Sequence, residues 1–191
     1  MTLINRPIGI IAEDNSDISS VICLIKKIRG TKKILSHSFI GKGCGKLKKK
    51  CFAWANVLHL KGCKTLIVVH DLDRAKLNEL TNFLNESLKD NPIKKYVISI
   101  PIEEIEAWIL SDPDSIKKYF NITKRISFKG NPETIKSPKE KIQSEVWIKS
   151  QKKVEYLNTK HNEKIFELID INKILTKCVQ FNIFYDFVMK I

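Results

Sequence analysis

Three sets of carboxylates stand where apolar runs end: Glu13 after Gly9-Ile10-Ile11-Ala12, Asp71 and Asp73 after Thr65-Leu66-Ile67-Val68-Val69-His70, and Glu104 with Glu106 shortly after Tyr96-Val97-Ile98-Ser99-Ile100. Oxygen donors of this kind suit a hard cation, and an Asp-x-Asp pair leaving a strand can aim both carboxylates at one ion. Mg²⁺ takes one or two protein carboxylates and leaves its other positions to water and substrate phosphates. A basic chain that collects acids in one place makes most chemical sense if metal neutralises them and lets a phosphodiester approach. Each set also has a plainer explanation. Glu13 to Asp17 reads equally as the acidic first turn of a helix, Asp-x-Asp after a strand is common, and Glu103, Glu104 and Glu106 fit a solvated helix start. The joint pattern carries the metal reading, with Mg²⁺ first and Mn²⁺ as the alternative.

A second cluster is cationic. Gly41-Lys42-Gly43-Cys44-Gly45 runs into Lys46-Leu47-Lys48-Lys49-Lys50. Glycines let backbone amides approach a phosphate and lysines supply charge. Lys42 and Lys46 are therefore candidates for phosphate-backbone contacts, and Arg74, just past Asp73, for the scissile phosphate; the plainer alternative is a solvated surface. The cluster is not a P-loop, which would need a glycine where Ile40 stands and a hydroxyl where Leu47 stands. The histidines offer little: strand alternation turns His70 away from the face of Asp71, and His37, His59 and His161 lack partners at ligand spacing. Trp54, Trp108 and Trp147 read as core or interface anchors rather than base-stacking platforms.

The elements that must position these residues alternate. Strands are expected at 9–13, 34–40, 65–71 and 96–100. Helices are expected from Ile18 to Ile28 with Gly30 as the stop, Leu47–Leu60, Leu77–Leu88 and Glu104–Leu110. The continuously apolar run at 65–69 suits a strand buried on both faces of a parallel sheet. Strand–helix alternation implies a three-layer α/β sandwich around a mainly parallel sheet, whose carboxyl edge is where ligands bind. From Asp112 the pattern becomes helical, with segments at 115–120, 139–149, 164–175 and 181–190. The expected division is an α/β core over 1–111 and a helical extension over 112–191 packed upon it.

Composition narrows the class. The 191 residues carry 34 Lys and Arg against 21 Asp and Glu, a net charge of +13, which favours a polyanionic partner. At 43% hydrophobic residues the chain can build a real core. The longest apolar stretches fall far short of the roughly 20 residues that cross a bilayer, so no membrane partner is expected. Acids follow the first apolar run at once, unlike a signal peptide. Five cysteines without a CxxC pair point to reduced thiols in the cytoplasm rather than zinc or disulfides.

Glu13 after a first strand, Asp71-x-Asp73 after TLIVVHD, and helices between them resemble the Toprim catalytic domain. This is the fold of topoisomerase–primase domains and of nucleases associated with overcoming-lysogenization-defect ATPases. The chain is most similar to the small Toprim-like proteins grouped as domain of unknown function 4276. The similarity rests on the opening Ala12-Glu13-Asp14-Asn15-Ser16-Asp17 and the block Pro101-Ile102-Glu103-Glu104-Ile105-Glu106-Ala107-Trp108-Ile109-Leu110-Ser111-Asp112. It extends to Asn131-Pro132-Glu133, Ser137-Pro138-Lys139 and Cys178 to Phe187. One departure from the general Toprim pattern is Asp14-Asn15 in place of the glycine that often follows the glutamate.

The resemblance implies Mg²⁺-dependent phosphodiester chemistry. Glu13 would act as general acid/base or ligand, Asp71 and Asp73 as ligands, and Glu104 with Glu106 would complete the site. It further implies an antiphage effector nuclease acting on DNA or RNA, tRNA included, held by an ATPase of the ABC or structural-maintenance type, with a homodimer left open. A non-catalytic Toprim-fold module binding nucleic acid or a partner is the competing expectation. A glycosyltransferase also uses Asp-x-Asp, but the short basic chain lacks an acceptor domain. A haloacid-dehalogenase-type phosphatase would place Asp-x-Asp-x-Thr on the first strand, where neither the position nor Ala75 agrees.

Overall fold

The computed structural model describes residues 6–41 and 44–191. Four strands, β1 (Ile8–Ala12), β2 (Ser36–Ile40), β3 (Thr65–Val69) and β4 (Lys95–Ser99), form one sheet in the order β2-β1-β3-β4. Every pairing is parallel, with Ile8 opposite Ser36 and Thr65, and Thr65 opposite Lys95. The sheet expected to be mainly parallel is wholly so.

Helix α1 (Asn15–Arg29) connects β1 to β2, α2 (Cys44–Leu60) connects β2 to β3, and α3 (Leu77–Leu88) connects β3 to β4. The chain moves outward from β1 to β2 and then back across β1 to β3. Crossovers of one hand therefore place α1 on one face and α2 and α3 on the other. The strand residues divide accordingly. Ile8, Ile10, Ala12, Ile67 and Val69 join the apolar cluster of α1, whereas Ile11, Leu66 and Val68 join that of Leu58, Leu80 and Leu84. Gly9 lets Leu58 pack close on the second face, where a Cβ would lie 3.0 Å from Leu58 Cδ1. Helix α1 ends where Gly30 takes the left-handed conformation (φ 60°) and its N–H bonds the last turn.

The first face would lie bare over β3 and β4 if α1 were its only cover. The rest of the chain fills it: α4 (Glu106–Leu110), α5 (Pro113–Tyr119), a 3₁₀ turn (Pro132–Thr134), α6 (Pro138–Lys149), α7 (Asn158–Leu168), α8 (Ile171–Lys177) and α9 (Val179–Met189). Helix α9 packs on β4 and α1, and α7 on α1. Trp108, Phe166, Phe181 and Phe184, all fully buried, continue the cluster begun by β1 and α1.

The single helix expected over 164–175 is two. Asp170 interrupts it by accepting the Asn172 N–H as an N-cap (2.9 Å). Buried Asp112 holds the break by accepting the Asp170 N–H (3.0 Å) and the Lys173 ammonium (2.6 Å). A distant carboxylate thus overrides a continuous helical pattern.

Candidate functional site

In the order β2-β1-β3-β4 the chain leaves β1 in opposite directions, so β1 and β3 flank the topological switch point, where a crevice opens at the carboxyl edge. Glu13 follows β1 immediately. The next residues turn the chain sharply. Asp14 caps α1 by accepting the N–H groups of Ser16 (2.7 Å) and Asp17 (3.0 Å), and Asp17 Oδ2 accepts the Asp14 N–H in return (3.2 Å). This box turns Asp17 inward until it is 5% exposed. Past β3, Leu72 and Asp73 donate their N–H groups to the carbonyls of Pro101 and Glu103 (3.0 and 2.9 Å). The loops leaving β3 and β4 therefore run side by side.

On this frame Glu13 Oε1 accepts the Asp71 N–H at 3.2 Å and lies 3.1 Å from His70 Nδ1. Asp71 Oδ1 accepts the Ile105 N–H at 3.1 Å, which ties it to the start of α4. Glu106 is buried on the first turn of α4. Its Oε1 accepts from Asn162 Nδ2 at 3.0 Å and lies 3.4 Å from the Tyr156 hydroxyl, which donates its one proton to the Asn162 amide oxygen. Glu104 is held differently: Lys139 donates both its backbone N–H (3.0 Å) and its ammonium (3.2 Å).

The expectation for His70 needs correction. Strand β3 stops at Val69, so alternation no longer governs the next residue. The His70 ring is 2% exposed, and its Nδ1 lies 2.7 Å from the Asp71 carbonyl as well as against Glu13. A carbonyl only accepts, so Nδ1 carries the ring proton.

The electrostatics are those of acids crowded away from water. Burial, then the charge of Asp73, pushes Glu13 up to about 7, against the pull of the Asp71 N–H and Lys48. Burial and the neighbouring Asp14 and Glu106 push Asp17 up to about 8. Burial first, then Asp17, Glu106, Glu13 and Glu104, raises Asp71 well above the carboxylate range. Burial likewise lifts Glu106 to about 7, opposed by the Asn162 amide. Like charges in a desolvated site oppose one another's ionisation. A cation would relieve that repulsion.

The structure thus brings Glu13, Asp71 and Glu106 together and sets Glu104 beside them on a lysine. Asp73 is near enough for its charge to act on Glu13 but differs in setting: it is exposed, in the left-handed region (φ 49°), and lines a cleft of about 590 Å³ with Arg74, Glu103, Lys136 and Ser137. Lys46 is exposed on the first turn of α2, and Lys42 lies outside the described residues. Of the lysine run it is Lys48 whose charge reaches Glu13. Among the described residues no three acidic, imidazole or thiol side chains form a ready metal cluster. The donor chemistry still fits Mg²⁺, which needs only one or two protein carboxylates and prefers hard oxygen ligands.

Sequence reasoning missed Asp17, His70, Lys139, Tyr156 and Asn162. Asp17 was visible as an acid but was accounted for by helix capping. His70 adjoined the acidic pair but was assigned to the wrong face. The other three stand more than thirty residues beyond the acids they touch, and no spacing announces them.

Fold and site together define an α/β protein that gathers buried carboxylates at the switch point of a parallel sheet. Residues 12–188 match the model of a family described as Domain of unknown function (DUF4276), and the chain belongs to that family. No curated protein and no solved structure matches it.

Proposed function

We propose that the protein is a Mg²⁺-dependent nuclease of the Toprim type, related to the nuclease domains of overcoming-lysogenization-defect proteins and acting as the effector of an antiphage system. The observation that carries this reading is the convergence of Glu13, Asp17, Asp71 and Glu106 on the switch-point crevice, with Glu104 beside them, in a chain of net charge +13. A protein of that charge attracts polyanions as a whole, yet its crevice repels them until the acids are neutralised. Glu13 and Asp71 would hold the ion, with Glu104 and Glu106 completing the acidic set, while Asp73, the third expected ligand, acts on the site from the outer cleft through its charge on Glu13. When bound, Mg²⁺ stabilises the charge that develops on a transferring phosphoryl group and lowers the pKa of bound water.

The chain's own residues supply the rest. The Asp71 N–H holds Glu13 Oε1 beside the His70 ring, and a carboxyl that titrates near neutral pH can take or return a proton as a general base or acid. Lys139 fixes Glu104 at the rim, and the Asn162–Tyr156 pair fixes Glu106 beneath it. The chain's excess of lysines, Lys46 and Lys42 among them, would contribute the sequence-independent attraction expected for DNA or RNA, tRNA included. An ABC- or structural-maintenance-type ATPase as partner, and assembly as a homodimer, follow from the family resemblance. A cytoplasmic location agrees with the four described cysteines, all buried free thiols. No helix among the described residues is long and apolar enough to cross a membrane.

One observation favours a second reading, a nucleic-acid or partner-binding module without catalysis: Glu104 is already neutralised by Lys139, so the acidic set is partly spent on structure. A cleavage panel separates the two. The chain alone and co-expressed with its adjacent ATPase is given Mg²⁺, Mn²⁺ or chelator with plasmid, single-stranded DNA and total RNA. Cleavage that needs metal and disappears in Glu13→Gln and Asp71→Asn establishes the nuclease. Undiminished cleavage in both variants removes these residues from the site. No cleavage with the triggered ATPase present supports the binding module.

A further inference from the structure

The cleft beside the carboxylates has a charge pattern of its own. Its lining comes from the loop after β3, carrying Asp73 and Arg74, from the segment before α6, carrying Lys136 and Ser137, and from Glu103. Arg74 and Lys136 are exposed and make no hydrogen bond or ion pair with any described residue, unlike Lys76 and Lys139 nearby, which pair with Glu79 and Glu104. Backbone strain gathers at the same place. Asp73, Glu103 and Ser137 all have φ between 49° and 61°, a region that disfavours side chains. Such conformations persist where surrounding structure enforces them, and they cluster at ligand clamps.

The lining bears no aromatic ring, so bases find no stacking platform there. What the cleft offers is two uncommitted cations lining one cavity of about 590 Å³, room for a short stretch of a single sugar–phosphate backbone. A duplex is a far broader rod than a cavity of that volume admits.

Resting on the nuclease reading, we infer that this cleft seats one strand of nucleic-acid backbone, gripped through phosphates by Arg74 and Lys136 without reading bases. Asp73 and Glu103 oppose the grip, so the cleft is close to electrically neutral until those acids are compensated. Arg74 follows Leu72 and Asp73, whose N–H groups bond the loop after β4, and Lys136 precedes Lys139, which is tied to Glu104, so both cations are held beside the carboxylates.

Binding in chelator tests this without any chemistry. Fluorescence anisotropy of two single strands of unrelated sequence and one duplex is followed across a salt series for the wild-type chain, Arg74→Ala, Lys136→Ala, Glu103→Gln and Lys32→Ala. Lys32, between α1 and β2, lies at the opposite edge of the sheet. For both single strands, Arg74→Ala and Lys136→Ala should each reduce the slope of log K against log salt by about 0.7, one lost phosphate contact. Glu103→Gln should tighten binding and Lys32→Ala should leave the slope unchanged. Unchanged slopes in the two cleft variants, an equal loss in Lys32→Ala, a loss confined to one sequence, or a larger loss for duplex would each overturn the inference. Metal-dependent cleavage is scored separately, so either reading can fail while the other stands.

Discussion

Asp71 and Asp73 are two residues apart and belong to different regions. Asp71 sits among Glu13, Asp17 and Glu106, where burial and like charge raise it far above a carboxylate's ordinary range. Asp73 is exposed on the cleft that Arg74 and Lys136 also line. The inner region has acids that solvent cannot relieve and is stabilised by fixed donors such as the Ile105 N–H and the Asn162 amide. The outer region has mixed charges that water and salt screen freely. The lesson is that an Asp-x-Asp spacing does not make two equivalent ligands. The inner acid is crowded by burial and like charge, and the outer one is open to solvent beside two cations.

The largest effect should come from neutralising the inner acid. Asp71→Asn keeps the oxygen that accepts from Ile105 but removes the charge, and metal-dependent cleavage should fall by about 10²-fold or more. Metal-free stability at pH 8 should rise in the same variant, because a repelling buried charge is gone. Cleavage assays and urea midpoints check both halves; a less stable Asp71→Asn would contradict the account of the inner region.

Next comes pH. Folding raises Glu13 and Glu106 from 4.5 to about 7 and Asp17 from 3.8 to about 8. The folded state then binds more protons than the unfolded one between about pH 4 and 8. Their contribution is complete below the unfolded values and is lost as pH rises through the folded ones. In chelator the protein should therefore be less stable at pH 8 than at pH 5.5, by on the order of a few kcal/mol for the set. Saturating Mg²⁺ should shrink that difference. Denaturant midpoints at the two pH values decide it; stability that climbs with pH in chelator would show that the acids are not crowded.

A smaller effect is expected from Asn162→Leu. It strips Glu106 of its amide donor and leaves the Tyr156 hydroxyl without its amide partner, costing about 1–3 kcal/mol in thermal or chemical unfolding. The smallest belongs to the outer region. Asp73→Gly should stabilise by up to about 1 kcal/mol, since glycine takes the left-handed conformation without strain. If Asp73→Gly instead destabilised as much as Asn162→Leu, the two regions would not differ as described.

Much of this was legible in the chain itself. The alternating apolar runs, the Gly30 stop and the acids at strand ends specified a parallel α/β sheet and put Glu13 and Asp71 at its carboxyl edge. Strand period, helix period and capping are local, and each is written in neighbouring residues.

Tertiary structure alone decided how the acids are divided. The order β2-β1-β3-β4 depends on which way each crossover turns, and it is this order that presses Glu13 against the Asp71 N–H and His70. Lys139 on Glu104, Asn162 and Tyr156 on Glu106, and Lys136 in the same cleft as Arg74 come from a C-terminal half whose helices were visible but whose docking was not. Charge and hydrogen bonding act through space over a few ångströms. Residues separated by thirty or more positions therefore acquire partners only once the core has packed.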